Sequence, residues 1–210
     1  MNRSQSSSFA AVLMAGGRSV RMGRDKACLE WHGRPLWEVQ VEKLIGICGD
    51  PVVIACRRQQ GLHEKTAFTE RLAWRFDPDE EATGPAGVVL RMLDEFKMPV
   101  LLLAVDMPLM TEAFLKDSIL SATEPGQGLF FESSHGLEPL VGWYSPGMLP
   151  VMRDCIDRGI LGLRAVIHEC RQQGLASVRL LNGPEELLFS NINTPAHWKC
   201  AVAASGGRSF

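Results

Sequence analysis

The sequence predicts one α/β domain built on an open sheet, on three observations. Short apolar runs and helical patterns alternate through the first half of the chain. One run, Val100–Val105, is apolar at every position, as befits a strand buried on both faces at the centre of a parallel sheet. No internal repeat, low-complexity block or linker divides the 210 residues, a length that supports one large core.

Taken in order, Phe9–Leu13 has the length and composition of a buried strand. Trp37, Val41, Leu44, Ile45 and Cys48 then recur at helical spacing behind Pro35, a residue suited to a helix start. Pro51–Cys56 reads as a second strand, the polar stretch 57–71 as a helix plus loop, and Leu72–Phe76 as a third strand. Gly84-Pro85 opens a helix carrying Ala86, Val89, Leu90 and Leu93 on one face. After the Val100–Val105 strand, Thr111 is placed to cap a helix bearing Phe114, Leu115 and Ile119. Gly128–Phe131 and Pro139–Tyr144 read as strands flanking His135-Gly136, with Trp143 and Tyr144 as core residues. Two helices follow, near Leu149–Ile156 and around Leu163, Val166, Ile167 and Cys170, before a last strand at Ala176–Leu181. Thr194 caps a short final helix with Pro195 in its first position. The domain spans 9–203, with 1–8 and 204–210 as flexible tails.

The stretch from Leu13 to Leu29, LMAGGRSVRMGRDKACL, carries the most chemistry. A glycine-rich turn leaving a strand lets backbone N–H groups approach an anion closely, and Arg18, Arg21 and Lys26 can offset a polyphosphate's charge. It is not a P-loop, because Arg24-Asp25 stand between Gly23 and Lys26. Nor is it the dinucleotide fingerprint, because Gly16 and Gly17 are adjacent and residues 18–20 hold no glycine. A glycine-rich β-turn with solvated arginines is the plain alternative.

The pattern [LM]-A-G-G-x-x-x-R-M-G-x-D-K-x-x-L resembles the signature loop of nucleotidyltransferases that make activated sugars, lipid precursors and dinucleotide cofactors. With Asp directly before Lys, it most resembles the molybdenum cofactor guanylyltransferases. The resemblance implies a single-domain, three-layer α/β/α, Rossmann-like fold with a mostly parallel sheet, of the nucleotide-diphospho-sugar transferase type. It also implies transfer of GMP from GTP to the terminal phosphate of molybdenum-bound molybdopterin, with Mg²⁺ as cofactor. The products would be molybdopterin guanine dinucleotide and pyrophosphate. Other proteins of molybdenum cofactor biosynthesis or delivery are implied partners.

In open α/β sheets ligands bind beyond the carboxyl ends of the strands. Asp106 follows six apolar residues and precedes Met107-Pro108, so it is a candidate Mg²⁺ ligand, or a cap for the following turn. Asp77 ends the third strand, where it can accept hydrogen bonds from a base or ribose; Asp79, Glu80 and Glu81 behind it read as solvated. Gly84-Pro-Ala-Gly87 resembles a family element but is one residue shorter. Asn191–Pro195 resembles the segment that closes the family's site, making Asn193 a candidate oxygen ligand to the metal, or simply part of a helix cap. His135 and Glu138–Leu140 lie where the family's acceptor region begins, or form a surface hairpin. The resemblance thus assigns Arg21, Lys26 and Asp106 to catalysis, and Met14, Ala15, Gly16, Gly17, Lys26, Asp77 and Asp106 to the nucleotide. Asp106 and Asn193 would hold the metal.

A net charge of −2 argues against broad electrostatic attraction to nucleic acid or an anionic membrane. The six cysteines (28, 48, 56, 155, 170, 200) form no C-x-x-C pair and do not cluster with the histidines, so they read as reduced thiols, not zinc ligands. Residues 1–8 lack the apolar core of a signal peptide, and a soluble cytoplasmic protein is expected. Two alternatives stay open: cytidylyl or other nucleotidyl transfer to molybdopterin or a sugar phosphate on the same fold, and a non-catalytic nucleotide-binding adaptor.

Overall fold

The computed structural model describes residues 8–17, 24–48, 51–64, 69–77, 84–121 and 123–206. In chain order the strands are β1 (Ala10–Met14), β2 (Glu30–Trp31), β3 (Arg34–Pro35), β4 (Val52–Cys56), β5 (Leu72–Phe76), β6 (Val100–Ala104), β7 (Gly128–Ser133), β8 (Gly136–Tyr144) and β9 (Ala176–Leu180). The helices are α1 (Leu36–Ile45), α2 (Gly84–Phe96), α3 (Glu112–Phe114), α4 (Leu149–Asp157), α5 (Leu163–Gln172), α6 (Gly183–Glu186) and α7 (Pro195–Ser205). Seven strands form one sheet in the order β5-β4-β1-β6-β8-β7-β9, and β2-β3 form a separate small ribbon.

The sheet is parallel except for β8, which runs against both neighbours, β6 and β7. The reason is local. Only Ser134 and His135 join β7 to β8, a connection that permits antiparallel pairing alone, and Gly136 supplies the positive φ (100°) that the return needs. Because β7 and β9 keep the direction of β6, their carboxyl ends and the Ser134-His135 turn lie at the sheet edge where β1, β5 and β6 also end.

Alternation along the strands divides the core into two layers. Ala11, Leu13, Ile54, Leu101 and Leu103 pack with Leu36, Trp37, Val41 and Leu44 of α1 and with Phe114 and Ile119. On the other face Val12, Val53, Ala55 and Leu102 pack with Ala86, Val89 and Leu93 of α2 and with Val166 and Ile167 of α5. Val100–Ala104 are all buried, as their unbroken apolar character requires. Trp143 and Tyr144 are core residues, the Tyr144 hydroxyl donating to the Pro139 carbonyl at 2.6 Å.

Three local expectations are revised. Among the described residues of the stretch 57–71, single 3₁₀ turns stand at Arg58–Gln60, Leu62–Glu64 and Thr69–Arg71, and no helix longer than these is formed. Leu62 is its buried apolar anchor, and Gly61 (φ 61°) ends the first turn. The helix capped by Thr111 widens from α3 into a π-type turn at Leu115–Leu120. The last helix runs to Ser205, whose side chain is buried, where the sequence suggests a tail from 204. Among the described residues no helix is long and apolar enough to cross a membrane.

Candidate active site

β1 keeps one further sheet bond past its end, Ala15 N–H to the Ala55 carbonyl at 2.8 Å, and then releases the glycines. Two strands away, β5 delivers Asp77, whose N–H bonds the Cys56 carbonyl at 2.9 Å. The two ends meet over β4. A Cβ on Gly16 would lie 2.5 Å from Asp77 Oδ2, so only glycine allows this approach. A Cβ on Gly17 would meet nothing within 4 Å, so packing does not demand that glycine. Burial pushes the Asp77 carboxyl up from its ordinary value, while the guanidinium groups of Arg91, 3.2 Å away, and Arg57 pull against that shift.

On the other side of β1, Lys26 comes together with Asp106 and Asn193. Its Nζ donates to Asp106 Oδ2 at 2.9 Å and to Asn193 Oδ1 at 2.6 Å, tying residues 80 and 167 positions away in the chain. Each partner is set by its backbone. Asp25 caps the 3₁₀ turn Lys26–Cys28 through the Ala27 N–H at 3.0 Å. The turn after β6 is held to β1 by Val105 N–H on the Met14 carbonyl at 3.0 Å, and Ile192 N–H donates to the Asp106 carbonyl at 2.9 Å. Two buried side chains of α1 brace that turn from below: Gln40 donates to the Met107 carbonyl at 2.7 Å, and Lys43 to the Pro108 carbonyl at 2.8 Å. Thr194 caps α7 through the His197 N–H, which fixes where Asn193 leaves the loop.

Asp106 Oδ1 is buried and has no hydrogen-bond partner among the described residues. A bare carboxylate oxygen beside an amide oxygen suits a hard cation, so the donor set fits Mg²⁺. Among the described residues no three His, Cys, Asp or Glu side chains converge to hold a metal ion.

Next to Asn193 opens a cleft of about 610 Å³ whose walls include Ser133, Glu138, Arg164, Glu186 and His197. Glu186 accepts from the Ser134 N–H and hydroxyl at 2.7 and 3.0 Å, fastening the β7–β8 turn to α6. Glu138 is buried and accepts from the Ser133 hydroxyl at 2.7 Å. The cleft reaches the Lys26–Asp106–Asn193 group through Asn193, while the glycine loop and Asp77 lie on the other side of β1.

Residues 11–176 match the model of the MobA-like NTP transferase domain. The chain belongs to this family. It is 28% identical over 202 residues to a probable molybdenum cofactor guanylyltransferase of Synechococcus elongatus, covering 91% of this chain and 96% of that one. It is 27% identical over 186 residues to a molybdenum cofactor guanylyltransferase of Pseudomonas putida, covering 88% and 92%. Among solved structures, molybdopterin-guanine dinucleotide biosynthesis protein A from Archaeoglobus fulgidus superposes with a TM-score of 0.75 at 21% identity, covering 95% of this chain and all of that one. A nucleotidyl transferase from Methanothermobacter thermautotroptrophicus gives 0.74 at 18% identity, over 94% and 97%. As a MobA-like domain the chain is a nucleotidyltransferase, with the mostly parallel sheet of the nucleotide-diphospho-sugar transferase fold.

Of the residues expected at the site of this MobA-like domain, Ala15, Gly16, Gly17, Lys26, Asp77, Asp106 and Asn193 all lie at the carboxyl edge of the sheet. Met14 is the last residue of β1 and only partly buried. Arg21 lies outside the described residues, as do Arg18 and Asp79–Glu81. Sequence reasoning overlooked Arg57 and Gln60, which bond the glycine loop directly. The strand-end rule that marks Asp77 and Asp106 would have found Arg57, which directly follows β4. Burial pushes the Cys56 thiol beside them up to about 12, which makes it inert as a nucleophile.

Proposed function

We propose that this chain transfers GMP from GTP to the terminal phosphate of molybdenum-bound molybdopterin, releasing pyrophosphate. The observation that carries the reading is Lys26, which bridges Asp106 and Asn193 beside the cleft that Asn193 lines. The choice of guanylyl donor and molybdopterin acceptor follows the relatives, which are named for that activity.

The chemistry asks little of protein acids or bases. An acceptor phosphate is already a nucleophilic anion, so the protein must align it with the α-phosphate and offset the charge that builds there. The glycine-loop amides and Lys26 face that task on the donor side, together with Arg21. Asp77 contacts the nucleoside, and Met14 to Gly16 form the floor beneath it. The cleft lined by Glu138, Arg164 and His197 receives the acceptor. Asp106 and Asn193 would hold Mg²⁺, which when bound draws negative charge from the phosphates. Asp106 also holds Lys26, which keeps the ammonium poised near the reacting phosphate rather than free in water.

Thermal shift with GTP, CTP, ATP and UTP in Mg²⁺ tests the donor assignment. Selective stabilisation by GTP is expected, followed by pyrophosphate release once the molybdopterin acceptor is added. Preference for CTP would move the chain to cytidylyl transfer, and no response to any nucleotide would overturn enzymatic transfer in favour of an adaptor.

A further inference from the structure

Two side chains from the segment after β4 grip the glycine loop at both ends. Gln60 Nε2 donates to the Ala15 carbonyl at 2.9 Å and to Asp25 Oδ2 at 2.6 Å, while its Oε1 accepts from the Arg57 N–H at 2.7 Å. Both amide hydrogens are thereby used. Arg57 Nε donates to the Gly16 carbonyl at 3.0 Å, a terminal nitrogen reaches the Gly17 carbonyl at 3.5 Å, and the same nitrogen pairs with Asp25 at 3.6 Å.

Peptide geometry turns these bonds into a direction. In a trans peptide the C=O of one residue and the N–H of the next point opposite ways. Holding the Ala15 carbonyl therefore aims the Gly16 N–H away from Gln60, and holding the Gly16 carbonyl aims the Gly17 N–H away from Arg57. Neither amide has a partner among the described residues. Consecutive free N–H groups on a glycine turn are an anion-binding concavity. At the other end, Asp25 is locked by both side chains through one oxygen while the other caps the turn that begins with Lys26. One clamp thus holds both the loop carbonyls and the carboxylate that caps the turn carrying Lys26.

We propose that Arg57 and Gln60 are positioning residues for the donor's polyphosphate, acting through the loop carbonyls and Asp25, an inference that rests on the phosphate-binding reading of the loop given above. They need not touch the nucleotide. Their work is to hold amides and Lys26 in register before it arrives, so that binding does not have to order the loop.

The test is calorimetric binding of inorganic tripolyphosphate with Mg²⁺, which isolates the phosphate cradle from any base or acceptor. Gln60→Ala changes no charge, so any loss reports geometry rather than Coulomb attraction. Binding should weaken about tenfold or more, the KM for GTP should rise in parallel, and the KM for the acceptor should stay at the wild-type value. Gln60→Glu, which strips both donors and sets a second carboxylate against Asp25, should be worse. Arg57→Lys keeps the charge but cannot span two carbonyls, and should fall between wild type and Gln60→Ala. Unaltered tripolyphosphate affinity in folded Gln60→Ala and Arg57→Lys would overturn the proposal. Failure of the wild-type protein to bind tripolyphosphate would overturn both it and the phosphate reading beneath it. Weakened binding in a chain that transfers no GMP would support the clamp while overturning the substrate assignment.

Discussion

Replacing Lys26 by methionine keeps the unbranched stem and removes the ammonium that donates to Asp106 and Asn193. Losing one preorganised charged donor costs on the order of 10²–10³ in rate, about 2.7–4 kcal/mol of transition-state stabilisation at about 1.36 kcal/mol per decade. The structural cost can be bounded separately. The Lys26 and Asp106 side chains are only 15% and 16% exposed, so solvent does not simply replace the lost donor. Asp106 Oδ1 already has no partner among the described residues, and the variant strips Oδ2 of Lys26 as well. A buried acceptor left bare costs about 1–3 kcal/mol. At about 2–4 °C per kcal/mol for a domain of this size, Tm should fall by about 2–12 °C, leaving a folded protein at 25 °C. Pyrophosphate release with GTP, Mg²⁺ and acceptor measures the first quantity and differential scanning calorimetry the second. Asp106→Asn in the Lys26→Met background removes the stranded charge, and should recover part of the lost Tm while recovering no activity. A kcat/KM for Lys26→Met within tenfold of wild type would refute the assignment.

The two loop glycines should behave differently. Gly16→Ala sets a methyl where Asp77 Oδ2 now lies, so that carboxylate must shift from its place and the KM for GTP should rise at least tenfold, whereas Gly17→Ala, with open space around it, should leave the fold intact in circular dichroism and hurt only nucleotide affinity, and less. Burial lowers the Lys43 ammonium from 10.5 to about 8, with Glu112 opposing the shift. The folded state therefore sheds that proton before the unfolded chain does, so between about pH 8 and 10.5 the unfolded state binds more protons and this group's contribution to stability rises with pH. The denaturant-derived stability of wild type minus that of Lys43→Met should be flat below pH 7 and climb through that window; a fall there would contradict the assignment. Glu186→Gln weakens the clasp on the Ser134 N–H and hydroxyl, so steady-state kinetics should show a higher KM for the acceptor with the KM for GTP unchanged.

How legible the molecule was depends on the range of the interaction. β6 could be read from the six consecutive apolar residues Val100–Val105 because burial on both faces leaves no other composition. Thr111 and Thr194 could be read as caps because a cap bond spans three residues, and both accept from the expected N–H. The stretch 57–71 could not be read. Among its described residues Arg57 and Gln60 serve the glycine loop and Leu62 is buried, at spacings that make no helix face. Arg57 and Gln60 look like solvated polar residues until the fold sets them against carbonyls some forty residues earlier. Gln40 and Lys43 lie on a helix that reads as amphipathic, and their bonds to the turn after Asp106 are visible only in three dimensions.

By itself, then, the sequence determined the strand-and-helix rhythm, the glycine turn, and the presence of a lysine and carboxylates at strand ends, because each of these is set by neighbours within a few positions. Only the tertiary structure decided that Lys26 meets Asp106 and Asn193 rather than solvent, that Asp77 occupies the space a side chain at position 16 would need, and that Gln60 holds the Ala15 carbonyl. Those contacts join residues 45 to 167 positions apart. They exist because parallel strands bring their carboxyl ends to one edge whatever the chain length between them, a geometry that local sequence does not record.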